Sequence, residues 1–229
     1  MPDIGTATEF FTKLNRAIST PRFASYRKNG ETQEEALCKY LWNIRLCESL
    51  YSPLQMLEVG FRNALHTQVG IATKTPDWLK HRLGILYPDE ILKIDIAEQS
   101  LRDRGKAATE AYLVSELPFG FWTSVLDSRY ERLWHRIIKD VFPNMPRQMR
   151  TRSEASVVMN KVRRLRNAAL HHHSIWHWSD LEEQHRSIHL ILGWICESMS
   201  TIAISIDQFP KVLADGHGCF LPIVKTYFK

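Results

Sequence analysis

The run Arg164-Leu165-Arg166-Asn167-Ala168-Ala169-Leu170-His171-His172-His173-Ser174-Ile175-Trp176 closes a strongly basic segment and carries three of the chain's ten histidines. From upstream and into this run, Val157, Val158, Val162, Leu165 and Ala169 return at helical spacing, which predicts a helix with one apolar face, capped at Ser153. Downstream, Ser179-Asp180-Leu181-Glu182 has the form of a helix start and opens a second helix through about Ile206. The chain must therefore leave the first helix near His171–His173. The break matters for chemistry, because on an unbroken helix a side chain five positions on lies about 140° away, which would set Arg166 and His171 apart. At a helix end the backbone can redirect the imidazole, and the helix dipole there, which favours a cation by roughly 0.3–1 kcal/mol, is opposed by the charge of nearby Arg166.

Toward the N-terminus, residues 146–166 hold Arg147, Arg150, Arg152, Lys161, Arg163, Arg164 and Arg166 against Glu154 alone, a surplus of six that exceeds the +5 net charge of the whole chain. A solvated helix face normally mixes signs. A single-sign cluster points to phosphate, so Arg147, Arg150, Arg152, Lys161, Arg163 and Arg164 are candidate RNA contacts. Before them, Leu117-Pro118-Phe119-Gly120-Phe121-Trp122 leads into Val125, Leu126, Tyr130, Leu133, Trp134, Ile137 and Ile138, ended by Phe142-Pro143-Asn144. This is an aromatic entry to a helix with a broad apolar face, and core packing is the expected use of its rings. Residues 75–88 are turn-rich, and 89–117 read as a polar helical stretch broken at Gly105.

In the first third, residues 6–18 read as a short amphipathic helix and 20–31 as a loop. Thr32 followed by Glu35 forms a capping box for a helix to about Leu50, and Ser52-Pro53 supplies an N-cap and first-turn proline for a helix through Gly70. On that second helix Glu58, Arg62 and His66 share one face at i,i+4 spacing. An exposed ion pair is the ordinary use of such a face, worth roughly 0.3–0.5 kcal/mol.

The words Arg-Asn, three small or apolar residues, then His171-His172 and Ile175-Trp176 resemble the Arg-Asn-x-x-x-His-His motif of the Abi-like (abortive-infection) proteins in the HEPN superfamily. The Glu58–Arg62-Asn63 stretch and Pro118-Phe119-Gly120-Phe121-Trp122 resemble further blocks of that family, so the likeness spans roughly residues 50–190. It implies an all-α, HEPN-type helical bundle with additional peripheral helices. It also implies a metal-independent ribonuclease whose active centre is Arg166, Asn167, His171 and His172, supported by Glu58, Arg62 and His173. Relatives continue His-His-Glu-Pro-Ile where this chain has His173-Ser174-Ile175, which leaves open which histidine is acid and which base.

One helical domain over residues 1–229 is expected: an N-terminal helical pair (31–72), peripheral helices (75–117), motif-bearing helices (118–206) and a C-terminal tail (207–229). RNA is the expected partner, with a neutralising antitoxin or phage-derived trigger, and a homodimer whose two Arg166–His171 motifs face one another. The apolar face Val158, Val162, Leu165 and Ala169 is available for that contact, packing inside the monomer being an equally ordinary use for it. Neither cofactor nor metal is expected, although His173-x-x-x-His177 and His185-x-x-x-His189 have helical metal-ligand spacing and keep that alternative open. A non-catalytic helical module binding RNA or protein through residues 147–166 is the rival reading. Cys38, Cys47, Cys196 and Cys219 show no C-x-x-C pairing, the N-terminus lacks a leader-like apolar run, and no stretch reads as a membrane span. A cytoplasmic protein is expected.

Overall fold

The computed structural model describes residues 7–28 and 30–226. The N-terminal stretch read above for a leader lies outside the described residues. In chain order the helices are α1 (Ala7–Ile18), α2 (Thr20–Ala24), α3 (Gln33–Ser49), α4 (Tyr51–Thr73), α5 (Pro88–Asp103), α6 (Glu110–Glu116) and α7 (Phe119–Ser124). There follow α8 (Glu131–Val141), α9 (Arg152–Leu170), α10 (Leu181–Ile195), α11 (Glu197–Ile206), α12 (Phe209–Asp215) and α13 (Leu221–Thr226). The chain is all-α, with no strand among the described residues. No helix of the described residues is long and apolar enough to cross a membrane.

The helices form two compact units. Unit 1 is assembled from residues 1–52, 165–183 and 206–229, and unit 2 from 53–164 and 184–205. In unit 1 the capping box is made in full: Thr32 accepts from the Glu35 N–H while the Glu35 carboxylate accepts from the Thr32 N–H, which starts α3. Phe11, Phe23, Tyr26, Leu37, Cys38 and Val224 make a buried core, with Leu14, Tyr40, Trp176 and Phe220 packed around it. Two of these groups depart from the sequence expectation. Residues 20–31 are not merely a loop, since Pro21 opens the short helix α2 and plants Phe23 and Tyr26 in the core. Residues 207–229 are not a simple tail either: Val212 O accepts from the Trp42 indole at 2.8 Å, and Val224 is buried against α3 side chains.

Unit 2 is held by aromatic stacking: Phe61 on Phe142, Phe142 on Trp134, and Trp78 on Phe121. Phe119, Phe121, Trp122 and Trp134 are buried, so the aromatic entry is core as expected. At the start of α4, Leu50 stays near helical geometry (φ −77, ψ −16), so the helix restarts at Tyr51 and Ser52-Pro53 falls inside the first turn. Proline is tolerated there because first-turn N–H groups have no intrahelical partner. Gly105 follows α5 with φ +68, the left-handed geometry that ends the helix.

Residues 75–117, read as peripheral, supply two carboxylates that organise unit 2. Glu90 is fully buried and accepts from Tyr130 Oη at 2.6 Å, Ser124 Oγ at 2.9 Å and Tyr87 N at 3.3 Å, and it pairs with Arg129. The Glu90 carboxylate and burial together raise the Tyr130 phenol well above its ordinary value, burial contributing most. Glu110 accepts from the Leu79 and Lys80 N–H groups at 3.1 and 3.0 Å and lies 2.7 Å from His66 Nε2.

The helix expected to continue to Ile206 breaks at Cys196 instead. The Asn144 backbone N–H donates to Trp194 O, and its side-chain amide to Gly193 O, both at 3.1 Å. Those two carbonyls are the ones an uninterrupted helix would offer to residues 197 and 198.

Candidate functional site

Helix α9 carries most of the residues singled out above. Its cap is Thr151, whose Oγ1 accepts from Glu154 N at 3.2 Å and whose carbonyl accepts from Ala155 N, so Ser153 lies inside the helix. The expected apolar face exists, but Val162, Leu165 and Ala169 are buried within the chain together with Ala155 and Met159. Of the four residues expected to pair two copies, Val158 alone is half-buried, so the stripe is largely spent on packing within the chain.

The basic run divides by role. Arg150 donates from Nε and Nη2 to Met145 O and from Nη2 to Pro143 O, pinning the turn before α9. Arg152 pairs with Glu131 and donates to Leu126 O at 2.7 Å. Both are structural ties of unit 2, with little surface left for RNA. Arg147, Lys161, Arg163 and Arg164 stay exposed. Glu58 and Arg62 also belong to unit 2. There the partner of His66 is Glu110, and Arg62 buries its Nε without a hydrogen-bond partner among the described residues.

The histidine end of α9 belongs to unit 1. His173 N donates to Ala168 O at 2.8 Å and His172 N to Ala169 O at 3.2 Å, with His172 in the left-handed region at φ 59. These are the two bonds of a Schellman termination, with histidine at the position where glycine is usual. The loop it launches is clamped from α3. Buried Asn43 donates from Nδ2 to His173 O at 3.2 Å, and its Oδ1 accepts from Ile175 N at 2.7 Å and Trp176 N at 3.2 Å. From α2, Arg22 Nη2 donates to His172 O. The backbone of residues 172–176 is thus fixed from two elements, while the side chains of His171, His172 and His173 remain exposed. The His171 and His173 rings stand 6.3 Å apart. Trp176 anchors the far side, stacked on Tyr26 at 6.4 Å with the buried Lys39 ammonium 4.8 Å from its centroid.

Arg166 and Asn167 sit on the last turns of α9, where Arg166 Nη1 donates to Asn167 Oδ1 at 3.3 Å. Two clefts flank the histidine turn within unit 1. One, of ≈ 690 Å³, is walled by Ile18, Ile44, Tyr51 and Leu170 and has Asn43 and Cys47 in its lining. Burial pushes the Cys47 thiol up to about 11, so at neutral pH it is a thiol and not a nucleophile. The other, of ≈ 390 Å³, is polar, lined by Ser25, Ser174, His173 and His177 among others. Arg22 and His172 line both, whereas Arg166, Asn167 and His171 line neither. Sequence reasoning passed over Arg22 and Asn43, which stand 150 and 130 positions from the histidines they hold. No protein-family model, no curated protein and no solved structure matches the chain.

Proposed function

We propose that this chain is a metal-independent endoribonuclease of the HEPN type, similar to the Abi-like proteins and serving in phage defence or as a toxin-like RNase. What supports this reading is the histidine turn: three successive imidazoles exposed at a helix end, on a backbone tied down by Asn43 and Arg22. Groups so held can act on a substrate without first being ordered. Metal-free cleavage needs one group to take the 2′-hydroxyl proton as O2′ bonds to phosphorus. A second group must protonate O5′ as the P–O5′ bond breaks, leaving a 2′,3′-cyclic phosphate and a 5′-hydroxyl. Imidazole, with an ordinary pKa of about 6.5, suits both roles, here His171 and His172. Arg166 would supply fixed positive charge to the phosphorane, and Asn167, already bonded to it, would orient it. Opposed acid and base require groups on both sides of the phosphate, so the proposal includes a second copy meeting the first at the histidine end.

The test is incubation of the purified chain with RNA in EDTA. Cleavage is expected to persist, and His171→Ala to lower it by roughly 10²–10⁴-fold with RNA binding kept. Activity abolished by EDTA and restored by a divalent ion would favour the metal-dependent alternative. RNA binding with no cleavage under any condition would leave the non-catalytic module.

A further inference from the structure

The polar cleft of unit 1 has a composition the ribonuclease reading does not use. Its ionisable lining side chains are Arg22, Tyr26, His172, His173 and His177, with no carboxylate among them. Burial pushes the Tyr26 phenol up to about 12 even with Arg22 beside it opposing the shift, so it stays a neutral hydroxyl. Every charge this cleft can acquire near neutral pH is therefore positive. Ser25 and Ser174 add hydroxyl groups. We infer that this cleft is a phosphate site, and that Arg22 on α2 is the side chain that holds the phosphate, with His172, His173 and His177 around it.

Three observations carry the assignment. Arg22 is positioned in advance: one N–H of its guanidinium is spent on the His172 carbonyl, which fixes the group at the cleft wall, and a guanidinium has five such donors. The carbonyl it meets belongs to the one residue of the turn held in the left-handed region, so α2 and the histidine turn define each other's geometry. The volume, ≈ 390 Å³, is of small-ligand size. The ligand class is a phosphate ester of single-stranded nucleic acid. Its adjoining nucleoside would enter the larger cleft, which meets the polar one at Arg22 and His172 and offers Tyr51 and Ile44 for a base. The role of this phosphate in cleavage rests on the ribonuclease reading, whereas its binding does not.

The experiment is titration of the full chain with inorganic phosphate at constant ionic strength, followed by NMR of the histidine rings assigned through single His→Gln variants. Resonances of His172, His173 and His177 are expected to move together, and Arg22→Gln to weaken the affinity by roughly 10–100-fold. Because Arg22→Gln also removes a tie to the turn, Ser174→Asp serves as the second variant. It leaves that tie in place, adds a carboxylate to the cleft, and should abolish phosphate binding. Histidine resonances that ignore phosphate, or a Ser174→Asp chain that binds it like the wild type, would overturn the site. Phosphate binding without RNA cleavage would remove the ribonuclease reading alone. Cleavage with phosphate binding indifferent to both substitutions would remove this inference alone.

Discussion

His172 occupies a backbone position that costs an L-residue roughly 1–2 kcal/mol and a glycine almost nothing. His172→Gly should therefore raise stability, by about 0.5–1 kcal/mol after the extra chain entropy of glycine is offset, while removing an imidazole from both clefts. Urea unfolding of the variant checks the first half. A lower midpoint would mean that the ring contributes packing that outweighs the strain. Asn43 is the opposite case. Asn43→Ala would strip partners from the buried Ile175 N–H and from the Trp176 N–H and His173 carbonyl, and should cost roughly 2–4 kcal/mol. It should also broaden the histidine ring resonances, and sharp wild-type-like signals would show that the turn keeps itself in place. At this scale the sequence told half the story. The end of α9 near His171 was legible because the next helix start follows within ten residues. Asn43 and Arg22 were not, because their bonds close over separations that no local pattern encodes.

Among the elements, α5 and α6 look dispensable by hydrophobic pattern and are fastened by charge. Glu90→Ala would leave Tyr130, Ser124 and the Tyr87 N–H without their shared acceptor and should destabilise unit 2 by about 3–5 kcal/mol, read from denaturant unfolding. Glu110 gives a pH signature. Burial opposes its ionisation, but the His66 contact and the Lys80 and Leu79 N–H donors outweigh that and hold its carboxyl below the usual range. A group whose folded pKa is depressed contributes stability that is complete above the unfolded value of about 4.3 and lost as pH falls through the lower folded value. Thermal midpoints should thus fall on acidification below about pH 4, and Glu110→Gln should flatten part of that fall. An identical acid profile in the variant would remove Glu110 from the account. The Thr32 cap, the aromatic entry and the Gly105 break were all readable, since each is a local rule obeyed locally. The Cys196 break was not, because its cause is Asn144, and neither were Arg150 and Arg152 as ties, because a run of like charge conceals carboxylate and carbonyl partners elsewhere in the chain. The helices after Ile206 run seven residues or fewer, too short for a 3.6-residue period to be counted.

For the molecule as a whole, the three-segment make-up of unit 1 is the consequential feature. A chain shortened to end at residue 206 would lose Val212 and Val224, exposing Trp42 and the core around Cys38. Cys38 is buried and Cys219 exposed, so a thiol reagent should label Cys219 quickly and Cys38 slowly in the intact chain. In the shortened chain Cys38 should label quickly. Continued protection of Cys38 would show that α12 and α13 are not needed to close the core.

Protein synthesis runs from the N-terminus, and segments fold as their partners emerge. Residues 1–52 are made before the segments they pack with, 165–183 and then 206–229, and the whole of unit 2 is made in between. The histidine turn therefore follows its own supports, since Arg22 and Asn43 are made 150 and 130 positions before the residues they hold. If that turn cuts RNA, a chain in which 206–229 has yet to be made would carry its histidines on an unfinished unit 1.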